Sequence, residues 1–350
     1  MSSIKLKGST SGDVTITVPA VAGTNTVTIP AVSGNLPLSN LDHVTNRPNA
    51  KPFIINGNFA VAQRGTSATG TSAYLIDRWK KQSQTTGNVT VSQDTDAPTG
   101  FLNSQKILAS GASTFFQTGQ QIEYNNFYPL LGKAASLSFY YKSDVDVVIR
   151  IRTGTSTADS TVLFSGTVAS TATISPSADW VQYVHNFTLA SDVTSLSIEF
   201  GTGTLANTDF VYLAGVQLEQ GTFDTTTIPP FQHESYGDNL SRCQRYYQRW
   251  NGDSAYNTGM VGVYNDTTTL ICVHTHIVPM RTAATFSISA ASDFDLEPFD
   301  VAPSQVSIFG TGNNYQQAID ATDTSARTKG FGGVICCDQT SGFFDFDAEF

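Results

Sequence analysis

At 350 residues and a net charge of −10, the chain is long enough for more than one core and too acidic to coat a phosphate backbone. Charged residues make up only 14 %, and no apolar run approaches the roughly 18 residues needed to cross a bilayer, so neither nucleic-acid binding nor membrane insertion is expected. The 28 glycines, set among many Ser, Thr, Val, Ile, Phe and Tyr, favour strands joined by turns, hence an all-β chain.

The amino end, MSSIKLKGSTSGD, lacks the apolar stretch of a secretory signal, which implies synthesis in the cytoplasm. Residues 15–34, TITVPAVAGTNTVTIPAVSG, hold one unit twice, at Thr17–Gly23 and eleven residues on at Thr28–Gly34. Each copy predicts a very short strand, cut by a proline that cannot donate to a ladder and closed by a turn glycine. One such chain has no core of its own. Three wound about an axis would bury the Val and Ile side chains, as in a fibre shaft; a disordered tail is the alternative. Residues 1–34 are therefore read as an attachment segment and short shaft, and the Asn- and Pro-rich residues 35–52 as a linker.

From Phe53 to residue 234 the pattern has period two. Leu137, Phe139 and Tyr141 share a face, as do Val147, Ile149 and Ile151, and Leu196, Ile198 and Phe200. In FVYLAGVQLE, strict alternation sets Phe210, Tyr212, Ala214, Val216 and Leu218 against Val211, Leu213 and Gly215. Such half-buried strands predict two packed antiparallel sheets. The Asn56–Gly57 pair suits a turn, with Gly57 free to take positive φ. Phe59 begins a buried face, and Asp77–Arg78 before Trp79 is read as a bidentate clamp.

Residues 235–250, SYGDNLSRCQRYYQRW, predict a helix: Ser235 and Asp238 form a capping pair, and Tyr236, Leu240, Cys243, Tyr246, Tyr247 and Trp250 fall on one 3.6-period stripe. Arg242, Arg245 and Arg249 lie toward its carboxyl end, where the dipole favours cations. Alternation returns over 251–350, a second small β-sandwich. LICVHTHIV places Leu270, Cys272, His274, His276 and Val278 on one face, and the chain ends on the strand GFFDFDAEF. Cys243, Cys272, Cys336 and Cys337 have neither a disulfide framework nor zinc spacing, so reduced thiols are expected, with Cys243 and Cys272 packed.

Ile55-Asn56-Gly57-Asn58-Phe59, Gln63-Arg64-Gly65 and Asp77-Arg78-Trp79 resemble the start of a jelly-roll module common in bacteriophage tail fibres. Gly215-Val216-Gln217-Leu218-Glu219-Gln220-Gly221, Pro230-Phe231, Tyr236-Gly237 and Cys243-Gln244-Arg245-Tyr246-Tyr247 continue the resemblance in order, over about residues 53–250. It implies a β-sandwich similar to carbohydrate-binding modules within a homotrimeric virion protein. Asn56, Gly57, Arg64, Asp77, Arg78 and Trp79 are then framework, and one structural calcium near the amino edge is also implied.

Sugar binding needs an aromatic platform with amide or carboxylate partners. Tyr124, Phe127 and Tyr128 in EYNNFYP are the densest loop cluster, with Trp180 a further candidate, although it opens the strand WVQYVHNF and core is its plainer place. His274 and His276 present two imidazoles which, around a three-fold axis, would suit iron or nickel; lining a subunit surface is the plainer role. Asp293, Asp295 and Glu297, and Asp345 and Asp347, are the acids a glycan-cleaving rival would need, though surface acids usually only solvate a sheet. The reading is a non-enzymatic tail-fibre adhesin, made in the host cytoplasm and mounted on other virion proteins through its amino end. It attaches to a host cell-surface glycan or protein. A structural connector or capsid-mounted appendage is the alternative.

Overall fold

A computed structural model describes residues 3–7, 13–17, 51–84, 87–251, 257–310, 312–337 and 342–350. The first two pieces are strands, Ser3–Lys7 and Asp13–Thr17, which pair antiparallel. They belong to one unit, residues 1–44, and the remainder to a second, residues 45–350. The sequence reading did not single out this hairpin. The two proline-bounded repeats lie, but for Thr17 itself, outside the described residues, as does nearly all of the linker.

The described chain is all-β, with every paired sheet antiparallel and only two short α-helices, α1 (Tyr124–Phe127) and α2 (Tyr236–Gln244). Sheet A runs, edge to edge, Thr167–Ile174, Val147–Gly154, Ser195–Thr202, Phe116–Ile122, Lys80–Ser83 and Ser72–Tyr74. Sheet B runs Ser177–Thr188, Ala134–Ser143, Phe210–Gln220, Ser104–Ala109, Val89–Asp94 and Ser67–Ala68. The two share one apolar core: Leu137, Phe139 and Tyr141 from sheet B meet Ile149, Ile151, Ile198 and Phe200 from sheet A. The Phe139 and Phe200 rings cross edge-on at 4.7 Å. Each large side chain withdrawn from water here stabilises the fold by roughly 1.5–3 kcal/mol, which is why the period-two pattern dictates which face turns inward.

Alternation fails in Phe210–Gln220. Val211 and Leu213 are core, but so are Val216 and Leu218, because the register shifts between Ala214 and Gln217. The extra residue is Gly215, at φ 59°, and the bulge turns Tyr212 and Ala214 to the outer face. The expected single face for Phe210, Tyr212, Ala214, Val216 and Leu218 is thereby corrected.

Sheet C holds Tyr247–Asn251, Phe343–Asp347 and Thr285–Ile288. Sheet D runs Phe294–Glu297, Gly332–Cys337, Asn257–Tyr264, Thr269–Thr275, Gln316–Thr322 and Gln305–Ile308. They share a second core that includes Leu270, Cys272, Phe294, Phe344 and Phe346, with Phe294 stacked on Phe344 at 4.4 Å. The last strand is central in sheet C, paired on both sides. All four cysteines are buried thiols.

Helix α2 starts as expected: Ser235 accepts the Asp238 amide. It stops at Gln244, six residues short of expectation. Tyr247–Asn251 instead pairs with Phe343–Asp347, and the ladder replaces the helical hydrogen bonds of a β-prone YYQRW segment. Leu240, Cys243 and Tyr246 do pack together, against Ile55 and Val61. Tyr247 and Trp250 lie on the strand, Trp250 beside Phe344 at 5.1 Å, while Tyr236 is exposed. The single helical stripe is corrected accordingly. Among the described residues no helix is long and apolar enough to cross a membrane.

Candidate functional site

The motifs of the tail-fibre resemblance converge on a buried polar knot. Asn56, not Gly57, takes the positive φ, at 56°. Gly57 is needed for closeness: its carbonyl accepts the Val216 amide at 2.9 Å, and a Cβ there would lie 2.0 Å from the Val216 oxygen. The Asn56 side chain donates to the Val61 and Asp77 carbonyls and accepts from the Val61 amide and Asn239. Trp79 donates its indole N–H to the Asn56 carbonyl and packs on Phe59 at 5.0 Å.

The expected Asp77–Arg78 clamp is not what forms. Asp77 accepts from the backbone and side chain of Gln63. Burial pushes its carboxyl up to about 6, against the pull of those bonds and of Arg64. Arg78 pairs with Glu349, donates to the Gln121 carbonyl and lies 3.4 Å over the Tyr246 ring. Burial alone would lower its affinity for the proton, but Glu349 holds it above the ordinary value. Arg64 stacks on Tyr247 at 3.5 Å and pairs with Asp347 at 2.9 Å. The backbone turns at Arg78, at φ 73°, and its side chain reaches Glu349, two residues past the last strand. This knot joins the two cores and leaves no open face for a ligand.

An open face lies next to it. The Gly215 bulge makes room for Phe101, whose ring would be 2.5 Å from a Cβ on that glycine. Phe101 sits in an aromatic group with Tyr140 (5.6 Å), Phe231 (5.1 Å) and His233 (5.1 Å), and Phe231 meets His233 edge-on at 4.9 Å. Burial lowers the His233 pKa, so the ring is neutral at pH 7 and can both donate and accept. A cleft of about 300 Å³ opens beside them, lined by Asn58, Phe101, Leu102, Asn103, His233, Glu234, Tyr236 and Asn239, among others. Leu102 is 86 % and Tyr236 61 % exposed at its rim. Asn239 donates to both Asn56 and Asn58 at 3.2 Å, so the knot holds the cleft amides in place.

Along α2 the cleft continues into a narrow depression that shares Asn58, Glu234 and Asn239 with it. Beyond Pro52 a second cavity of about 440 Å³ follows, walled by Lys51, Asn125, Asn126, Arg242, Arg245 and Tyr246, among others. Arg242 pairs with Glu234 at 2.6 Å; Arg245 clamps Glu123 through Nε and Nη2 at 2.8 and 2.9 Å. Burial would raise the Glu123 carboxyl, but the Arg245 bonds outweigh it and hold it low.

The aromatic candidates are divided. Phe127 is wholly buried, Tyr124 packs edge-on against it at 5.5 Å, and Tyr128 is 60 % exposed. EYNNFYP instead contributes Asn125 and Asn126 to the cationic cavity. Trp180 is not core: it is half-buried on the outer face of sheet B, bonded to Asp96 at 3.0 Å and edge-on to Tyr212 at 6.0 Å. His274 lies flat on Phe346 at 4.2 Å, and His276 is buried 5.3 Å from it, ring to ring. Burial, with His276 beside it, pushes His274 down to about 4. Among the described residues no three His, Cys, Asp or Glu side chains gather in a group that could hold a metal ion. Asp345 is clamped by Arg249 and Asp347 by Arg64, which occupies two acids of the cleaving rival.

Phe101, His233, Tyr236 and Asn239 were not marked as ligand contacts from sequence. APTGFLN does carry a signal, a glycine turn presenting Phe and Leu, and so does PPFQHESY. Residues 104–228 separate the two stretches.

No protein-family model matches the chain, and no curated protein does. Among solved structures, the chain is similar to the enzymatically active domain of bacteriophage CBA120 tailspike protein 4: 15% identity over 49% of this chain and 21% of that one, TM-score 0.36. The chain thus spans about a fifth of that structure. It is also similar to TmCBM61 in complex with β-1,4-galactotriose, at 11% identity over 49% of this chain and 100% of that one, TM-score 0.34. A putative sugar binding protein from Bacteroides thetaiotaomicron is similar at 14% identity over 49% and 100%, TM-score 0.32.

Proposed function

We propose that this protein is a non-enzymatic adhesin of a phage tail fibre that attaches to a glycan on the host cell surface. The observation that carries the reading is the cleft at Phe101, His233 and Tyr236. Aromatic faces there stand beside fixed amides and a carboxylate, the combination that lets a sugar ring stack its C–H face and bond its hydroxyls. Sheets A and B would form a jelly-roll sandwich that supports the cleft, and sheets C and D a second one at the fibre tip. The homotrimer and the mounting on other virion proteins rest on the sequence repeats at Thr17–Gly23 and Thr28–Gly34. Three weak clefts on one particle would then act together on a repetitive surface.

The test is adsorption. Purified protein should coat host cells and slow attachment of the phage that carries it, and Phe101→Ala should abolish coating while the protein stays folded, with only a modest drop in unfolding midpoint. Protein that binds phage particles but never cells would overturn the adhesin in favour of a structural connector. Release of reducing ends from host polysaccharide would overturn the non-enzymatic reading.

A further inference from the structure

We infer that the ligand is an acidic glycan, whose carboxylate- or phosphate-bearing residue seats in the cavity of Lys51, Arg242 and Arg245 while a neighbouring sugar stacks at Phe101. This rests on the glycan reading above and adds the chemical class. The two cavities lie along the same helix on either side of the shallow depression at Asn58, Glu234 and Asn239, which itself holds only about 10 Å³, so one extended chain of sugars would run over it from one cavity to the other.

Charge decides what the second cavity takes. Lys51, Arg242 and Arg245 supply three positive charges against Glu123 and Glu234, a balance of 3 − 2 = +1. Asp159 and Arg281 act on the same region and cancel. A net cation in a protein of charge −10 is a local reversal of the overall field, the arrangement that draws an anion to one place. Arg242 spends its two terminal nitrogens on Glu234 and the Pro52 carbonyl, but the other two donors have capacity left. Arg245 spends Nε and Nη2 on Glu123, which leaves Nη1, and its side chain is 40% exposed. The Lys51 ammonium is exposed and has no carboxylate partner among the described residues. A guanidinium edge, an ammonium and the amides of Asn125 and Asn126 suit a charged oxygen group with hydroxyls around it.

The experiment is a glycan array probed with the full chain, carrying neutral, uronic- or sialic-acid-bearing, and phosphorylated oligosaccharides, with the best binders then titrated in solution. Acidic glycans should lead, and Lys51→Glu should weaken them about tenfold or more while leaving neutral binders alone. Raising salt from 0.05 to about 0.5 M should do the same in the native protein. Lys51 is exposed and has no carboxylate partner among the described residues, so its substitution does not threaten their packing; Phe101→Ala should remove both classes. A lead by carboxylated or by phosphorylated glycans assigns the anion. Neutral glycans binding as well as acidic ones, indifferent to Lys51→Glu, would overturn the inference and leave the adhesin standing. No binding to any glycan would overturn both.

Discussion

The two cores treat their buried polar groups differently. Where sheets A and B meet the rest of the molecule, Asn56, Asp77, Arg78 and Gln121 are buried and each makes at least one hydrogen bond to another stretch of chain, although Arg78 Nε, Arg64 Nη1 and Glu349 Oε1 find none. Between sheets C and D, His274 and His276 are withdrawn from water with ring nitrogens that find no partner. The first arrangement is stable because each charge meets another; the second because each imidazole stays neutral. The difference predicts which region yields to mutation and which to acid.

The largest effect is expected from Arg78→Ala. It leaves buried Glu349 with only the longer Arg64 contact at 3.5 Å and strips the cation from Tyr246, a loss of about 3 kcal/mol in urea unfolding. Arg78→Lys should fall between, since an ammonium keeps the charge without the planar stack. If Arg78→Ala unfolds at the native midpoint, the knot is not what joins the cores.

Acid should act on the other core. His274 holds its proton less tightly folded (about 4) than in the unfolded chain (about 6.5), so its contribution is complete above pH 6.5 and is lost as pH falls toward 4. The full span is on the order of 3 kcal/mol. Asp77 works with the opposite sign. Its folded value near 6 exceeds the ordinary 3.8, so its contribution is present at low pH and lost as pH rises from about 4 to about 6. A global melting curve would blend the two. Hydrogen exchange corrected for intrinsic rates separates them: Thr269–Thr275 should lose protection on acidification, while Gln63 and its neighbours should not. His274→Phe should flatten the response of the first segment, and an unchanged response would assign the acid sensitivity elsewhere.

Smaller effects sharpen the comparison near the cleft. Gly215→Ala places a methyl group against the Phe101 ring at a backbone φ of 59°, so a loss of about 1–2 kcal/mol and a displaced Phe101 are expected. Glycan binding should fall further than stability does. Ser235→Ala removes the α2 cap for about 1 kcal/mol, read as a modest drop in unfolding midpoint with sheets C and D unaffected.

Much of the fold was legible because burial on a pleated strand has a fixed period. Leu137, Ile149 and Ile198 were placed inward by spacing alone, and they are. The same rule misled over Phe210–Gln220, since a glycine in a strand does not announce whether it bulges. It misled again after Gln244, where helical spacing and β-prone residues coexist and a partner strand almost 100 residues away decided between them. Less of the site was legible. EYNNFYP looked like an aromatic platform, yet packing took Phe127 and left the asparagines outside.

Local chemistry along the chain determined the all-β character, the start of α2 at Ser235 and the inward faces of most strands, because each depends on residues a few positions apart. Only the tertiary structure decided that Arg78 answers to Glu349 rather than Asp77, that Phe101 rests on Gly215, and that Phe101 and His233 share a cleft. Those pairings need groups brought together from 114 to 271 residues apart, and a period of two or 3.6 carries no record of such distances.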